Sequence, residues 1–378
     1  MKKITALFLA AIMTLSMAGC GQDKPAPTQS GTADTSGTSD TNGAGDTTGT
    51  GRTEPLTLRF AATGSGNEDD FQWLSNREIM AQIEAETNGM IKFEYYPSSQ
   101  LGDATSMLDQ VLMGSLDLCV VQPNVAAAIW PEFNVQVFPF AYPDQRTYWD
   151  AMLADGMFES FRELTMKDGK AVYLGVCSSN YRGCQNNVHP IRSADDFSDL
   201  KFRIQAGQIY VDIFAALGAS TSTIAVSELY AALQQGVVNA EENPVAYCYD
   251  NGIYECAKYA TELNAVNSTA QIFMSTNTWN KLTEQEQEIF IRACEEQPVK
   301  AQLAANERID DYYAKFEEAD IEVIRWTDLT EEERQSFYDA ELPIWDKYKE
   351  NMDQAFYEMW LSSCKAAWEK NGYAWIMD

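Results

Sequence analysis

Tyr181-Arg-Gly183, Asp199-Leu-Lys-Phe-Arg-Ile204, Tyr210-Val-Asp-Ile-Phe-Ala-Ala-Leu-Gly-Ala219, Ser227-Glu-Leu-Tyr-Ala-Ala-Leu-Gln-Gln-Gly-Val-Val238 and Glu241-Glu-Asn-Pro244 follow one another in this 378-residue chain. Phe202 to Gln205 reads as a strand. Ile209 to Leu217 reads as a helix stopped by Gly218, because glycine accepts the left-handed backbone that ends a helix. Val226 to Gln235 is a second helix, stopped by Gly236, and Val237 to Glu241 is a short strand meeting Asn243-Pro244. Alternating strand and helix implies a mainly parallel sheet covered by helices.

The alternation continues outward. Leu56 to Ala62 reads as a strand and Thr63 to Asn67 as a polar loop. Phe71, Leu74, Ile79 and Ile83 then share one helical face until Asn88-Gly89. Ile91 to Tyr96 is a strand, Ser106 to Met113 a helix, and Leu116 to Val121 a strand running into Gln122-Pro123. Asp144 to Met166 is helical and Ala171 to Cys177 extended. Leu282 to Ala319 and Glu331 to Asn371 are helical and flank a strand at Ile321 to Trp326. This is an α/β chain of two lobes, and ligands in such sheets sit at strand carboxyl ends.

Composition excludes several functions. Hydrophobic residues make up 45% of the chain, enough for a packed interior and too many for a disordered chain. The net charge of −29 leaves no basic stripe for nucleic acid and repels anionic lipid headgroups. The single histidine, His189, excludes a histidine metal cluster, and it precedes Pro190 in a polar loop where an exposed side chain is expected. No Cys-x2-Cys pair is present, so neither metal nor cofactor is expected.

The N-terminus reads as an address. Lys2 and Lys3 precede an apolar run, Ile4 to Met17, too short to span a bilayer, which ends Met17-Ala-Gly-Cys20. This has the form of a lipoprotein signal, residues 1–19, with Cys20 as the lipidated residue. Residues 20–54 are mostly Gly, Ser, Thr, Asp, Ala and Pro; lacking large apolar side chains, they form the anchor and a flexible linker. The other seven cysteines read mostly as small buried hydrophobes; a Cys177–Cys184 disulfide stays open.

Enzyme signals are weak. Gly64-Ser-Gly66 lacks the third glycine of a dinucleotide loop. Asp69-Asp70 and Glu241-Glu242 could serve a glycosidase, but neighbours in a strand point to opposite faces. There is no Gly-x-Ser-x-Gly elbow.

The stretch from Asn180 to Tyr259 closely resembles the solute-binding subunit of tripartite ATP-independent periplasmic (TRAP) transporters, in the dicarboxylate-binding DctP family. Thr87-Asn-Gly-Met-Ile-Lys92, Tyr96-Pro97, Gln100-Leu-Gly102, Gly114-Ser-Leu-Asp117 and Phe138-Pro-Phe140 stand in that family's order. The resemblance implies a two-lobed periplasmic-binding-protein-like fold with mixed or parallel sheets, a central cleft and long connecting helices. Lobe I would be residues 55–179 and 269–308, and lobe II residues 180–268 and 309–378. It implies a monomeric receptor, not an enzyme, that closes on a small carboxylate and passes it to TRAP integral-membrane subunits.

The resemblance also assigns residues. Arg203 would make a two-pronged salt bridge to the ligand carboxylate, Arg182 would assist, and Asn243 would donate a side-chain hydrogen bond. Gln122, Asn67 and Asp103 would line lobe I. Val226 stands where sialic-acid-type members often carry an aromatic residue, which disfavours that ligand. The physical case for Arg203 is that a guanidinium matches a carboxylate in direction as well as charge. The alternatives are an exported hydrolase of acidic sugars and a receptor for a sensor kinase.

Overall fold

The computed structural model describes residues 50–377, apart from Asp69 and Asp155. The signal segment, Cys20, most of the linker and Asp69 therefore lie outside the described residues.

Among the described residues eleven strands run in chain order: β1 (Leu56–Ala62), β2 (Ile91–Tyr96), β3 (Leu118–Val121), β4 (Ala171–Tyr181), β5 (Gly183–Asn186), β6 (Lys201–Ile204), β7 (Ser220–Thr223), β8 (Ala240–Asn243), β9 (Tyr259–Thr261), β10 (Asn267–Ser275) and β11 (Glu322–Ile324). They form a five-stranded sheet, β2-β1-β3-β10-β4, and a six-stranded sheet, β11-β9-β5-β8-β6-β7. β1 is parallel to β2 and β3, whereas β10 is antiparallel to β3 and β4. In the second sheet β6 is parallel to β7 and β8, and β5 is antiparallel to β8 and β9. Both sheets are thus mixed, and each belongs to one of two lobes.

β10 and three short strands, β5, β7 and β9, are absent from the periodic reading. β10 opens Asn-Ser-Thr-Ala-Gln, yet it is buried almost throughout. Its polar groups are satisfied inside: Gln271 and Gln136 exchange hydrogen bonds at 2.9 and 3.0 Å, and Tyr173 donates to Gln271 at 3.1 Å. A buried polar strand of this kind has no alternation to detect. The expected helix from Asp144 to Met166 is two helices, Gln145–Met152 and Met157–Lys167, because Gly156 takes a left-handed conformation (φ 83°).

Both faces of each sheet are covered. Leu58, Phe60, Val120 and Ile272 pack on Ile83 and Phe290, from the helices Phe71–Glu86 and Glu284–Asn306. A second cluster is continuous from Cys119 and Phe273 under the first sheet to Phe202 and Phe214 under the second, so one core joins the lobes. Each such side chain contributes roughly 1.5–3 kcal/mol by leaving water.

Two segments depart from the expected division. The C-terminal helix Gln354–Lys370, assigned by sequence to lobe II, packs on lobe I: Phe356 meets Phe161 at 4.9 Å, and Trp360 Nε1 donates to the Tyr142 hydroxyl at 2.8 Å. Its aromatic face finds the apolar surface of the first lobe there. The linker, expected to run to Glu54, is already docked at Thr50 and Arg52. Arg52 grips the buried Glu286 carboxylate with Nε and Nη2 at 2.7 and 2.6 Å, and Thr50 donates to it at 3.0 Å. Among the described residues no helix is long and apolar enough to cross a membrane, and no disulfide joins Cys177 to Cys184.

Candidate functional site

A cavity of about 250 Å³ opens where strands of both sheets end. The loops after β1 and β3 bring Thr63 and Gln122 to it, and the second sheet brings Arg203, Gln205 and Asn243. Asp103 and Val226 also line it. Asn67 does not: it is exposed on the loop, because Asp70 rather than Asn67 turns inward to cap the following helix.

The two arginines are held differently. Arg203 sits mid-sheet, flanked by Ser222 on β7 and Glu241 on β8, and its side chain is buried. Nε donates to the Ile224 carbonyl at 2.8 Å. Among the described residues neither terminal nitrogen has a hydrogen-bond or ion-pair partner. Burial, helped by the charge of Arg182, lowers its pKa. A guanidinium so placed is short of a counter-anion.

Arg182 is already engaged. Nε pairs with the Glu242 carboxylate at 2.5 Å, Nη1 donates to the Ser268 hydroxyl at 2.9 Å, and Nη2 donates to Asn243 Oδ1 at 2.9 Å. Nη2 also reaches the Glu242 carbonyl. Burial works against the charge of Arg182, but Glu242 outweighs it and the pKa rises. Glu242, buried in turn, is pushed up to about 7 despite Arg182. One N–H of Arg182, on Nη1, has no partner among the described residues. Asn243 spends its Nδ2 on Glu241 Oε2 at 2.5 Å, so its amide serves mainly to lock the arginine wall.

Opposite this wall the lining is neutral or acidic. Gln122 Nε2 donates to Thr63 Oγ1 at 3.1 Å, which leaves its carbonyl oxygen for a ligand donor. Asp70 and Asp103 cap two helices at the cavity edge. Sequence reasoning missed Asn180, whose buried Nδ2 has no hydrogen-bond partner among the described residues, together with Ser268 and Tyr247. Asn180 belongs to the quoted stretch, but only the crossing from β4 to β5 turns it toward the cavity. His189, expected to be exposed, is half-buried and bonds Asp199 at 2.8 Å. Among the described residues no three His, Cys, Asp or Glu side chains converge as metal ligands.

A direct contact also joins the lobes beside the cavity. Asn124, just after β3 in lobe I, donates to the Ala206 carbonyl just after β6 in lobe II. Gly207 permits this approach: its φ is +136°, and a Cβ there would lie 2.9 Å from Asn124 Cβ.

Residues 66–351 match the bacterial extracellular solute-binding protein family 7, DctP. The chain belongs to that family. It is 25% identical over 289 residues to the sialic acid-binding periplasmic protein SiaP of Vibrio cholerae, a match covering 75% of this chain and 86% of that protein. Among solved structures it resembles the sugar acid binding protein of Advenella mimigardefordensis in complex with galactonate: TM-score 0.75, 20% identity, 83% of this chain and 99% of the other. It is also similar to a TRAP periplasmic solute binding protein of Sulfurospirillum deleyianum with bound succinate: TM-score 0.72, 21% identity, 83% and 99% coverage. Family 7 proteins are solute-binding receptors, and the two lobes and intervening cavity of this chain have the architecture of that family.

Proposed function

We propose that this chain is the extracytoplasmic receptor of a TRAP-type secondary transporter. It captures a small carboxylate by lobe closure and delivers it to separate integral-membrane subunits. The observation that carries this reading is Arg203: a buried guanidinium, short of an anion, facing a cavity between the lobes of a family 7 protein. A ligand carboxylate supplies the missing charge through two parallel N–H donors. Arg182 assists with its remaining N–H, and Gln122 and Asp103 meet the other end of the ligand. Val226 flanks the site without an aromatic ring for a sialic-acid-type ligand.

Burial of the pair Glu241 and Glu242 counts against the hydrolase alternative. Glu242 is committed to Arg182, and Glu241 to Asn243 and the Cys248 thiol. The reading extends to a monomer held at the membrane by a lipid on Cys20, with the linker as a leash. Thermal-shift screening against organic, dicarboxylic and sugar acids, followed by titration calorimetry of Arg203→Ala, tests it. At least about a hundredfold loss of affinity is expected; unchanged affinity in the variant, or stabilisation by neutral sugars alone, sinks it. Cys20→Ala is expected to release the protein from the membrane fraction.

A further inference from the structure

The charges around the cavity are unequal. On the arginine wall Arg182 is neutralised by Glu242, so Arg203 is the cation whose terminal N–H groups have no partner among the described residues. Three carboxylates, Asp70, Asp103 and Asp250, line the same cavity.

Two of these aspartates, Asp70 and Asp103, stand at helix N-termini that open on the cavity. A helix N-terminus carries a partial positive charge and unpaired N–H groups, which makes it a natural receptor for an anion. The helices Phe71–Glu86 and Ala104–Leu112 both start at the cavity, and both starts are already filled. Asp70 accepts from the Trp73 N–H at 2.9 Å and from the Ser65 N–H and hydroxyl at 2.8 and 3.0 Å. Asp103 accepts from the Ser106 N–H at 2.8 Å. The protein's own carboxylates thus cancel the helix ends and present acceptors to the cavity.

We infer that the site takes a monocarboxylate whose far end carries hydrogen-bond donors, hydroxyl or ammonium, and that it rejects dicarboxylates. This rests on the carboxylate reading of the preceding section. One carboxylate is matched by Arg203; a second would meet the half-buried Asp70 in the wall and the exposed Asp103 at the rim, both within a few ångströms and so inside one Debye length, where like charges repel. A hydroxyl or ammonium donates to those carboxylates and to the Gln122 carbonyl oxygen.

The test is titration calorimetry of the purified chain with pairs matched in carbon skeleton: galactonate against galactarate, glucuronate against glucarate, lactate against malonate. The tightest ligand is expected to be a monocarboxylate, with its dicarboxylate partner at least about tenfold weaker. Asp103→Asn keeps a good helix cap while removing the charge, and is expected to narrow that ratio at least about threefold by improving the dicarboxylate. A dicarboxylate as tightest ligand overturns the inference while leaving the receptor reading intact. A ratio unmoved in a folded Asp103→Asn protein also overturns it. Binding of no carboxylate at all fails the receptor reading first and this inference with it.

Discussion

The Glu242 carboxylate lies 2.5 Å from Arg182 Nε, with both side chains buried. This contact separates the two cavity arginines: Arg182 is held by its own counter-ion, whereas Arg203 has no carboxylate in hydrogen-bond or ion-pair contact among the described residues.

Removing one partner of a buried pair strands the other. Glu242→Gln is therefore expected to cost about 3–5 kcal/mol, read from urea unfolding. Arg203→Ala removes a cation with no protein carboxylate in contact, so its unfolding midpoint is expected to hold or rise while binding is lost. Equal destabilisation by the two substitutions contradicts this division.

Behind Arg182 a small second cavity is lined by Cys184, Glu242 and Glu341. Glu341 is buried, its Oε1 has no hydrogen-bond partner among the described residues, and burial together with the Glu242 charge pushes it up to about 8. Below the ordinary carboxyl range both folded and unfolded chains hold this proton. Between that range and pH 8 only the folded chain holds it, so this contribution to stability is lost as pH rises through about 8. Glu341→Gln is expected to flatten the fall of the thermal midpoint between pH 6 and 9; a parallel curve argues against it.

The contact of Asn124 with Ala206 requires Gly207. Gly207→Ala places a Cβ 2.9 Å from Asn124 Cβ at a strained φ of +136°. The variant is expected to fold, to bind ligand about tenfold more weakly, and to stay more open in small-angle scattering when ligand is added. Wild-type affinity rules out this contact as part of closure.

Arg52 and Thr50 dock the N-terminal approach on Glu286, whose carboxylate is fully buried. Arg52→Ala leaves that carboxylate with Thr50 and the Thr283 N–H. A loss of about 1–3 kcal/mol and faster proteolysis just before β1 are expected. Unchanged cleavage means that the docking adds nothing to order at this end.

Much of this was legible in advance. β1 and β2 have the bounds that their alternation predicts, since each edge or half-covered strand shows polar and apolar faces in turn. β10 was not legible: its polar groups are paired with Gln136 and Tyr173, residues distant in the chain. The destination of the C-terminal helix was equally hidden, because an aromatic face does not name the surface that it covers.

Sequence alone determined the α/β alternation and the acidic composition, and its motifs singled out the candidate leader and two candidate arginines, Arg182 and Arg203. It did so because those features are local: a period, a composition, a motif. Tertiary structure alone decided which arginine is free. Arg182 and Arg203 are the same residue type within one stretch, and only the strand pairing that buries Glu242 against Arg182 leaves Arg203 without a contacting carboxylate among the described residues. Charge compensation depends on distances across the fold, and these are set by packing, not by order along the chain.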